Sequence, residues 1–225
     1  ITGPLLGRPK SATYRTSDVV GLDTMAHVIK TMADTLPDDP WHKYFKAPEW
    51  LQALIAKGAL GQKTGAGIFQ KRGKDIVVID LAKQDYRPAT GEAAPEVVDI
   101  LKLKDPAEKF GKLRASAHPQ AQFLWSIFRD LFHYSAYHLA SIADTARDVD
   151  LAIRWGYGWS LGPFETWQAA GWKQVTGWIR EDINAGKSMS DARLPDWVDR
   201  QDGVHGPDGS YSPARASRVP RSSNP

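Results

Sequence analysis

DLAIRWGYGWSLGPFETWQAAG, residues 150–171, decides the reading of this chain. Just before it, Thr145 with Asp148 three residues on reads as an N-cap and a near capping box. Val149, Leu151, Ala152 and Trp155 then give a short amphipathic helix. Gly156 stands where a left-handed residue would stop that helix, and Gly158 keeps the next turn permissive. Gly162 followed by Pro163 reads as the N-cap and first position of a new helix, because proline there has no donor to lose. Two helices therefore meet at a corner padded by Trp155, Tyr157, Trp159, Phe164 and Trp167.

Outward from the corner, the chain repeats one plan. From Gly3 a first pass reaches Gly21, then a helix in which Leu22, Met25, Ile29, Met32 and Leu36 recur at three- and four-residue steps, ended by Pro37 and Pro40. Pro48, at a first helical position, opens a helix through Trp50, Leu51, Leu54 and Ile55 that Gly58 closes. A glycine loop follows. Ile68-Phe69 and Ile76 to Ile79, around Arg72-Gly73-Lys74-Asp75, read as a small β-hairpin, and the pass ends in Tyr86-Arg87-Pro88. Residues 96–117 read as a connecting segment with short helices near Pro95 to Leu103 and Pro106 to Arg114. From Pro119 a long helix carries Phe123, Leu124, Ile127, Phe128, Leu131, Phe132, Leu139 and Ile142 into the corner. Gly171 then starts the counterpart of the Leu22 helix, with Trp172, Val175, Trp178 and Ile179 on one face, and Tyr211-Ser212-Pro213 echoes Tyr86-Arg87-Pro88. Such echoes read as tandem copies. The expected division is 1–95, 96–117, 118–213 and a polar, mobile tail at 214–225.

Composition narrows the function classes. The 225 residues are 42% hydrophobic and 24% charged, ordinary values for a globular chain with a real core. Nine tryptophans are the exception, and each buries roughly 150–250 Å² when internal. The absence of cysteine excludes disulfides and thiolate chemistry. No apolar run reaches the length of a membrane span. A net charge of +3 is weak support for an anionic ligand, and the basic residues are interleaved with acids rather than drawn into a nucleic-acid-binding stripe.

Most catalytic readings fail on spacing. Gly61-Gln62-Lys63-Thr64 lacks the glycine directly before Lys-Thr that a phosphate loop needs, and Gly65-Ala66-Gly67 precedes a strand instead of following one, so neither is a nucleotide fingerprint. His133 and His138 are five residues apart on one helix and diverge by about 140°. None of His27, His42, His118, His133, His138 or His205 has an evident carboxylate partner or metal spacing, so all six read as surface or core residues and no metal site is expected. Arg8, Lys10 and Arg15 form the best basic cluster, read either as phosphate contacts or as a solvated loop braced by Asp18 and Asp23.

The pattern Asp150…Gly156-x-Gly158…Gly162-Pro163-Phe164-Glu165…Gly171 resembles the C-terminal domain of 3-hydroxyacyl-CoA dehydrogenases. Residues 3–16 with Asp18 to Thr24 resemble the first copy of that domain in multifunctional β-oxidation proteins, and Gly58 to Phe69 is similar to the family's loop before a closing strand. The resemblance implies a mainly α fold: tandem helical domains like the C-terminal domain of 6-phosphogluconate dehydrogenase, with the first copy truncated at its start. It implies an enzyme in which a separate domain binds NAD and supplies a His–Glu pair, while the helical domain covers the 3-hydroxyacyl-CoA cleft and contributes an Asn. Neither the pair nor the Asn has a counterpart here, and Phe123-Leu124-Trp125-Ser126 stands where the second copy would carry the Asn. The second copy is accordingly expected to be noncatalytic, a stand-in for a dimer mate that buries the aromatic corner against the Leu22 helix, with homo-oligomers arising through the truncated copy. Arg8, Lys10, Arg15, Lys63 and Thr64 are the expected substrate or interdomain contacts, and Gly21, Gly65, Gly67, Gly156, Gly162, Pro163 and Gly171 the expected structural positions. NAD is expected to be held by a domain outside this fragment, and a bacterial cytoplasm is the expected setting. A noncatalytic scaffold module is the competing reading.

Overall fold

The computed structural model describes residues 1–220, which sort into two units. Lys10–Glu92 forms a smaller unit inserted into a larger one, which joins Ile1–Pro9 to the chain from Ala93 onward. The chain passes from the smaller unit to the larger after Glu92, where the sequence reading sets its first boundary after residue 95. Residues 1–9, by contrast, belong with the larger unit. Their Gly7 carbonyl accepts the Ser160 N–H at 2.8 Å, and the Arg8 guanidinium lies over the Trp159 ring at 3.8 Å and the Phe128 ring at 4.9 Å.

In the inserted unit, α1 (Tyr14–Val20) leads through Gly21 into α2 (Leu22–Thr35). Gly21 has φ +105°, a conformation side chains resist, so the chain turns sharply between the helices. Of the apolar stripe on α2, Leu22 is fully buried, Met25, Ile29 and Met32 are half-buried and Leu36 is exposed. α3 (Glu49–Ala56) takes Pro48 as its N-cap, one place earlier than the spacing predicts. The expected hairpin forms from β1 (Phe69–Arg72) and β2 (Asp75–Asp80), and β3 (Asp85–Pro88) extends it to a three-stranded antiparallel sheet. Leu22, Leu51, Leu54, Ala59 and Ile68 make the core.

The larger unit contains α4 (Pro95–Lys102), α5 (Pro106–Ala115), α6 (Pro119–Ile142), α7 (Ala146–Tyr157), α8 (Pro163–Ala169) and α9 (Trp172–Asn184). Residues 96–117 are more than a connector. Val97 and Leu101 of α4, with Phe110 and Leu113 of α5, are buried in its core because each pair recurs on one helical face. The capping box at Thr145 and Asp148 is present. α7 runs through Gly156 and stops at Gly158, which takes the left-handed conformation at φ +65°. A second antiparallel sheet follows, with β4 (His205–Gly206), β5 (Gly209–Ser212) and β6 (Ser217–Val219). Residues expected in a mobile tail therefore include a paired strand, since Tyr211 sits opposite Arg218. The last five residues of that tail, 221–225, lie outside the described residues.

Tryptophans organise this core. Phe132 stacks on Trp167 with centroids 5.5 Å apart, Trp167 on Trp172 at 4.2 Å, and Trp197 on Tyr211 at 4.9 Å. Their indole N–H groups are satisfied internally: Trp167 donates to the Trp172 carbonyl, Trp172 to the Val198 carbonyl, and Trp125 to Asp182. The corner itself divides. Phe164 and Trp167 are fully buried, whereas Trp155 and Tyr157 are exposed. Phe132→Ala is expected to lower the unfolding free energy by about 3–5 kcal/mol, and Phe123→Ala, on the exposed face of the same helix, by less than about 0.5 kcal/mol. Urea titration of the two variants checks the contrast.

Candidate functional site

Three residues before one positive-φ glycine in each unit, Gly21 and Gly171, stands a side chain that seizes the following sheet. In the inserted unit, Asp18 accepts the Ile68 N–H at 2.7 Å and the Phe69 N–H at 2.8 Å. In the larger unit, Gln168 stands three residues before Gly171 (φ +97°) and its Oε1 accepts the Val204 N–H at 2.8 Å and the His205 N–H at 2.9 Å. The matches continue around each clamp. Ile79 donates its N–H to the Ile68 carbonyl, as Tyr211 does to that of Val204. Tyr86 Oη donates to the Gly67 carbonyl at 2.5 Å, and Arg218 Nη2 to that of Gly203 at 3.2 Å. Gly67 and Gly203 are glycines because a Cβ there would lie 2.2 Å from Asp18 and 2.6 Å from Gln168. The sequence echo of Tyr86 with Tyr211 is therefore out of register: Tyr211 matches Ile79, and Tyr86 matches Arg218.

The glycine loop holds the clamp in place. Gly61, at φ +110°, packs so closely that a Cβ would lie 2.3 Å from the Asp18 carbonyl oxygen. Thr64 closes the loop on itself, accepting the Leu60 N–H and donating to the Ala66 carbonyl, and Gly65 ends the turn at φ +75°. Lys63 Nζ pairs with Asp23 at 2.7 Å, and that bond holds the Asp23 carboxyl below the usual range.

The five contacts expected from sequence divide between the two units. Arg8 belongs to the larger unit, and burial lowers its pKa to about 10, leaving it cationic at neutral pH. Lys10, Arg15, Lys63 and Thr64 belong to the inserted unit, where Arg15 lies over the Phe69 ring at 4.9 Å. Asp18 does not brace the basic loop, because its carboxylate is committed to backbone N–H groups, and Asp23 pairs with Lys63, which lies outside the Arg8, Lys10 and Arg15 cluster.

Sequence reasoning missed one constellation. Asp150, fully buried on α7, accepts the Phe164 N–H through Oδ1 at 2.8 Å and meets His205 Nε2 through Oδ2 at 2.7 Å. His205 Nδ1 lies 3.0 Å from Ser210 Oγ on the facing strand. His205 thus has the carboxylate partner that its isolated place in the sequence does not announce; the signal was Gly162, since a Cβ there would lie 2.3 Å from Asp150. The array borders a cavity of about 440 Å³ with Arg147, Arg154 and Glu165. Through His205, which meets Asp150 with one ring nitrogen and Ser210 with the other, and through the Asp150 bond to Phe164, the array fastens α7, the α8 N-terminus and the second sheet together. The remaining histidines fit the sequence reading: His133 is fully buried with Nε2 on the Ala192 carbonyl, and His27 is exposed. Among the described residues, no group of three or more His, Asp or Glu side chains is arranged to hold a metal ion.

Comparison with known proteins now bears on this geometry. Residues 5–71, which carry the Asp18 clamp and its glycine loop, match the 3-hydroxyacyl-CoA dehydrogenase, C-terminal domain family. A probable 3-hydroxyacyl-CoA dehydrogenase of Bacillus subtilis is 39% identical over 83% of this chain and 25% of its own length. The chain belongs to the 3-hydroxyacyl-CoA dehydrogenase family. A second relative, a putative fatty acid oxidation complex trifunctional enzyme of Rickettsia felis, is 27% identical over 76% of this chain and 23% of its own length. The chain spans about a quarter of the length of these curated relatives. A crystal structure of 3-hydroxybutyryl-CoA dehydrogenase from Escherichia coli aligns with 83% of this chain and 50% of its own at 14% identity and a TM-score of 0.48. As a member of the 3-hydroxyacyl-CoA dehydrogenase family, the chain has the mainly α architecture that its sequence implies. Where the resemblance looks for Asn on α6, Trp125 is buried on Asp182 and Ser126 Oγ donates to its own helix at the Gln122 carbonyl.

Two outcomes follow from the clamps. Gly61→Ala is expected to cost about 1–3 kcal/mol, because it adds backbone strain to a backbone collision, while Gly73→Ala, left-handed but with open space around it, costs no more than about 1–2 kcal/mol. Differential scanning calorimetry separates them. Burial, the largest influence, raises the Asp150 carboxyl above its unfolded value, so the folded state takes up that proton first. The associated stability is full below the unfolded value and lost as pH rises through the folded one. Asp150→Asn cannot gain it, so the stability difference should move in favour of the unsubstituted chain as pH falls from neutral toward ~4, measured by denaturant titration at each pH.

Proposed function

We propose that this chain is the C-terminal helical region of an NAD-dependent enzyme that oxidises (S)-3-hydroxyacyl-CoA to 3-ketoacyl-CoA in fatty acid β-oxidation. The observation that carries the reading is the 39% identity with the Bacillus subtilis relative, which runs through both units rather than one. NAD, when bound by the remainder of the enzyme, accepts the hydride from the 3-hydroxyl carbon. The residues of this chain form a wall of the substrate cleft and hold it rigid through the Asp18 and Gln168 clamps. Arg8 lies over two aromatic faces and Arg15 over one, so the contact with CoA phosphates or with the nucleotide-binding domain falls first to Lys10.

In this reading the two units are tandem copies, supported by the parallel hydrogen bonds of Asp18 and Gln168, Tyr86 and Arg218, and Ile79 and Tyr211. The larger unit serves packing and not chemistry, since its α6 offers Trp125 and Ser126, both engaged within the fold. Bacterial relatives support a bacterial cytoplasmic setting, and the described residues contain no helix long and apolar enough to cross a membrane.

The test uses two proteins. The chain alone, given 3-hydroxybutyryl-CoA and NAD, is expected to form no NADH. Joined to the preceding region of the Bacillus subtilis relative at the aligned position, it is expected to restore NADH formation, which that region lacks when alone. Turnover by the isolated chain overturns the assignment of chemistry to the missing region, and a folded but inactive hybrid overturns the cleft-wall role.

A further inference from the structure

We infer that the inserted unit carries a binding site for a small amphipathic monocarboxylate, such as a medium-chain fatty acid, beside β2 and β3 of its sheet. A cavity of about 390 Å³ opens there, walled by Tyr14 of α1, Trp50 of α3, and Ile68, Val78, Ile79 and Leu81 around β2. That volume sits at the lower end of small-molecule sites, roughly 300–1,000 Å³, and so suits a medium rather than a long chain. Tyr14 and Leu81 are 54% and 57% exposed at its mouth, apolar surface that an aliphatic ligand would cover.

The polar end of the ligand is set by Arg87, which lines the same cavity and sits opposite Val78 across the sheet. Among the described residues its one carboxylate partner, Asp80, also lines the cavity and is loosely held: Arg87 Nε lies 3.5 Å from Asp80 Oδ2, and half of the arginine side chain is exposed. Asp80 does not depend on it, because Asp80 Oδ1 accepts the Ala82 and Lys83 N–H groups at 3.0 and 3.1 Å, and these bonds hold its carboxyl below the usual range. Arg87 Nη1 otherwise reaches the Pro88 carbonyl at 3.4 Å, a long bond. A guanidinium with weak partners at the rim of an apolar cavity is matched by a ligand with one carboxylate and one hydrocarbon tail. Arg72, over the Tyr86 ring, points its charge elsewhere and is not part of the site. The inference is independent of the proposed function, since it needs neither NAD nor CoA.

The experiment titrates the whole chain with octanoate and, separately, with octanol, by isothermal calorimetry, and follows the Trp50 indole and Tyr14 signals by NMR. Octanoate is expected to bind more tightly than octanol and to shift those two residues. Arg87→Gln should weaken octanoate about ten-fold or more while leaving octanol unchanged, and Leu81→Ser, at an exposed position, should weaken both. Absence of octanoate binding at millimolar concentration, an octanoate preference that survives Arg87→Gln, or shifts confined to other residues would each overturn the inference; circular dichroism establishes that the variants are folded.

Discussion

One acceptor taking two successive backbone N–H groups is the constraint on which each unit depends. A sheet of three short strands is marginal by itself, and its first strand needs a fixed point from which to start. Asp18 supplies that point with two oxygens, one for Ile68 and one for Phe69, and Gln168 supplies it with a single oxygen shared by Val204 and His205. Buried N–H groups without a partner would each cost about 1–3 kcal/mol, so the clamp is worth more for what it prevents than for the bonds it makes. The glycines beside it are consequences: Gly61 and Gly67 leave room for Asp18, and Gly203 leaves room for Gln168.

The two solutions differ in charge. A carboxylate clamps the inserted unit and a neutral amide clamps the larger one, which relocates its buried acid to Asp150 and balances it with His205. The larger unit also buries Arg129 between Asp130 and Asp182, with Trp125 donating to the same Asp182. Charges taken so far from water have to be paired almost completely, and here each finds a partner on another element or the next residue. Such networks fix which helix meets which more than they raise stability.

Helices are legible from local signals, whereas the long-range contacts are not. Pro106, Pro119 and Pro163 marked helix starts because proline at a first turn acts within a few residues, and the Thr145 capping box was legible for the same reason. Gly156 misled because a glycine inside a helix and one that ends it look alike until the next turn is seen; Gly158 carried the left-handed turn. β3 and β6 were missed since their residues, Asp85 to Pro88 and Ser217 to Val219, have no alternation of apolar side chains and depend on a neighbour for pairing. Asp150 and His205 are fifty-five residues apart, beyond the reach of any spacing rule, and the same holds for Asp18 and Ile68. Lys63 and Thr64 sit on the glycine loop, and their partners come from a helix and from the loop itself.

Arg8 has a bearing on how the polypeptide matures. Its guanidinium rests on Phe128 and Trp159, yet the whole of Lys10–Glu92 is translated between it and either ring. During synthesis residues 1–9 leave the ribosome before their aromatic partners exist, while the inserted unit behind them can already form its helices, loop and sheet. Residues 1–9 are thus made before the inserted unit yet find their seat only after it.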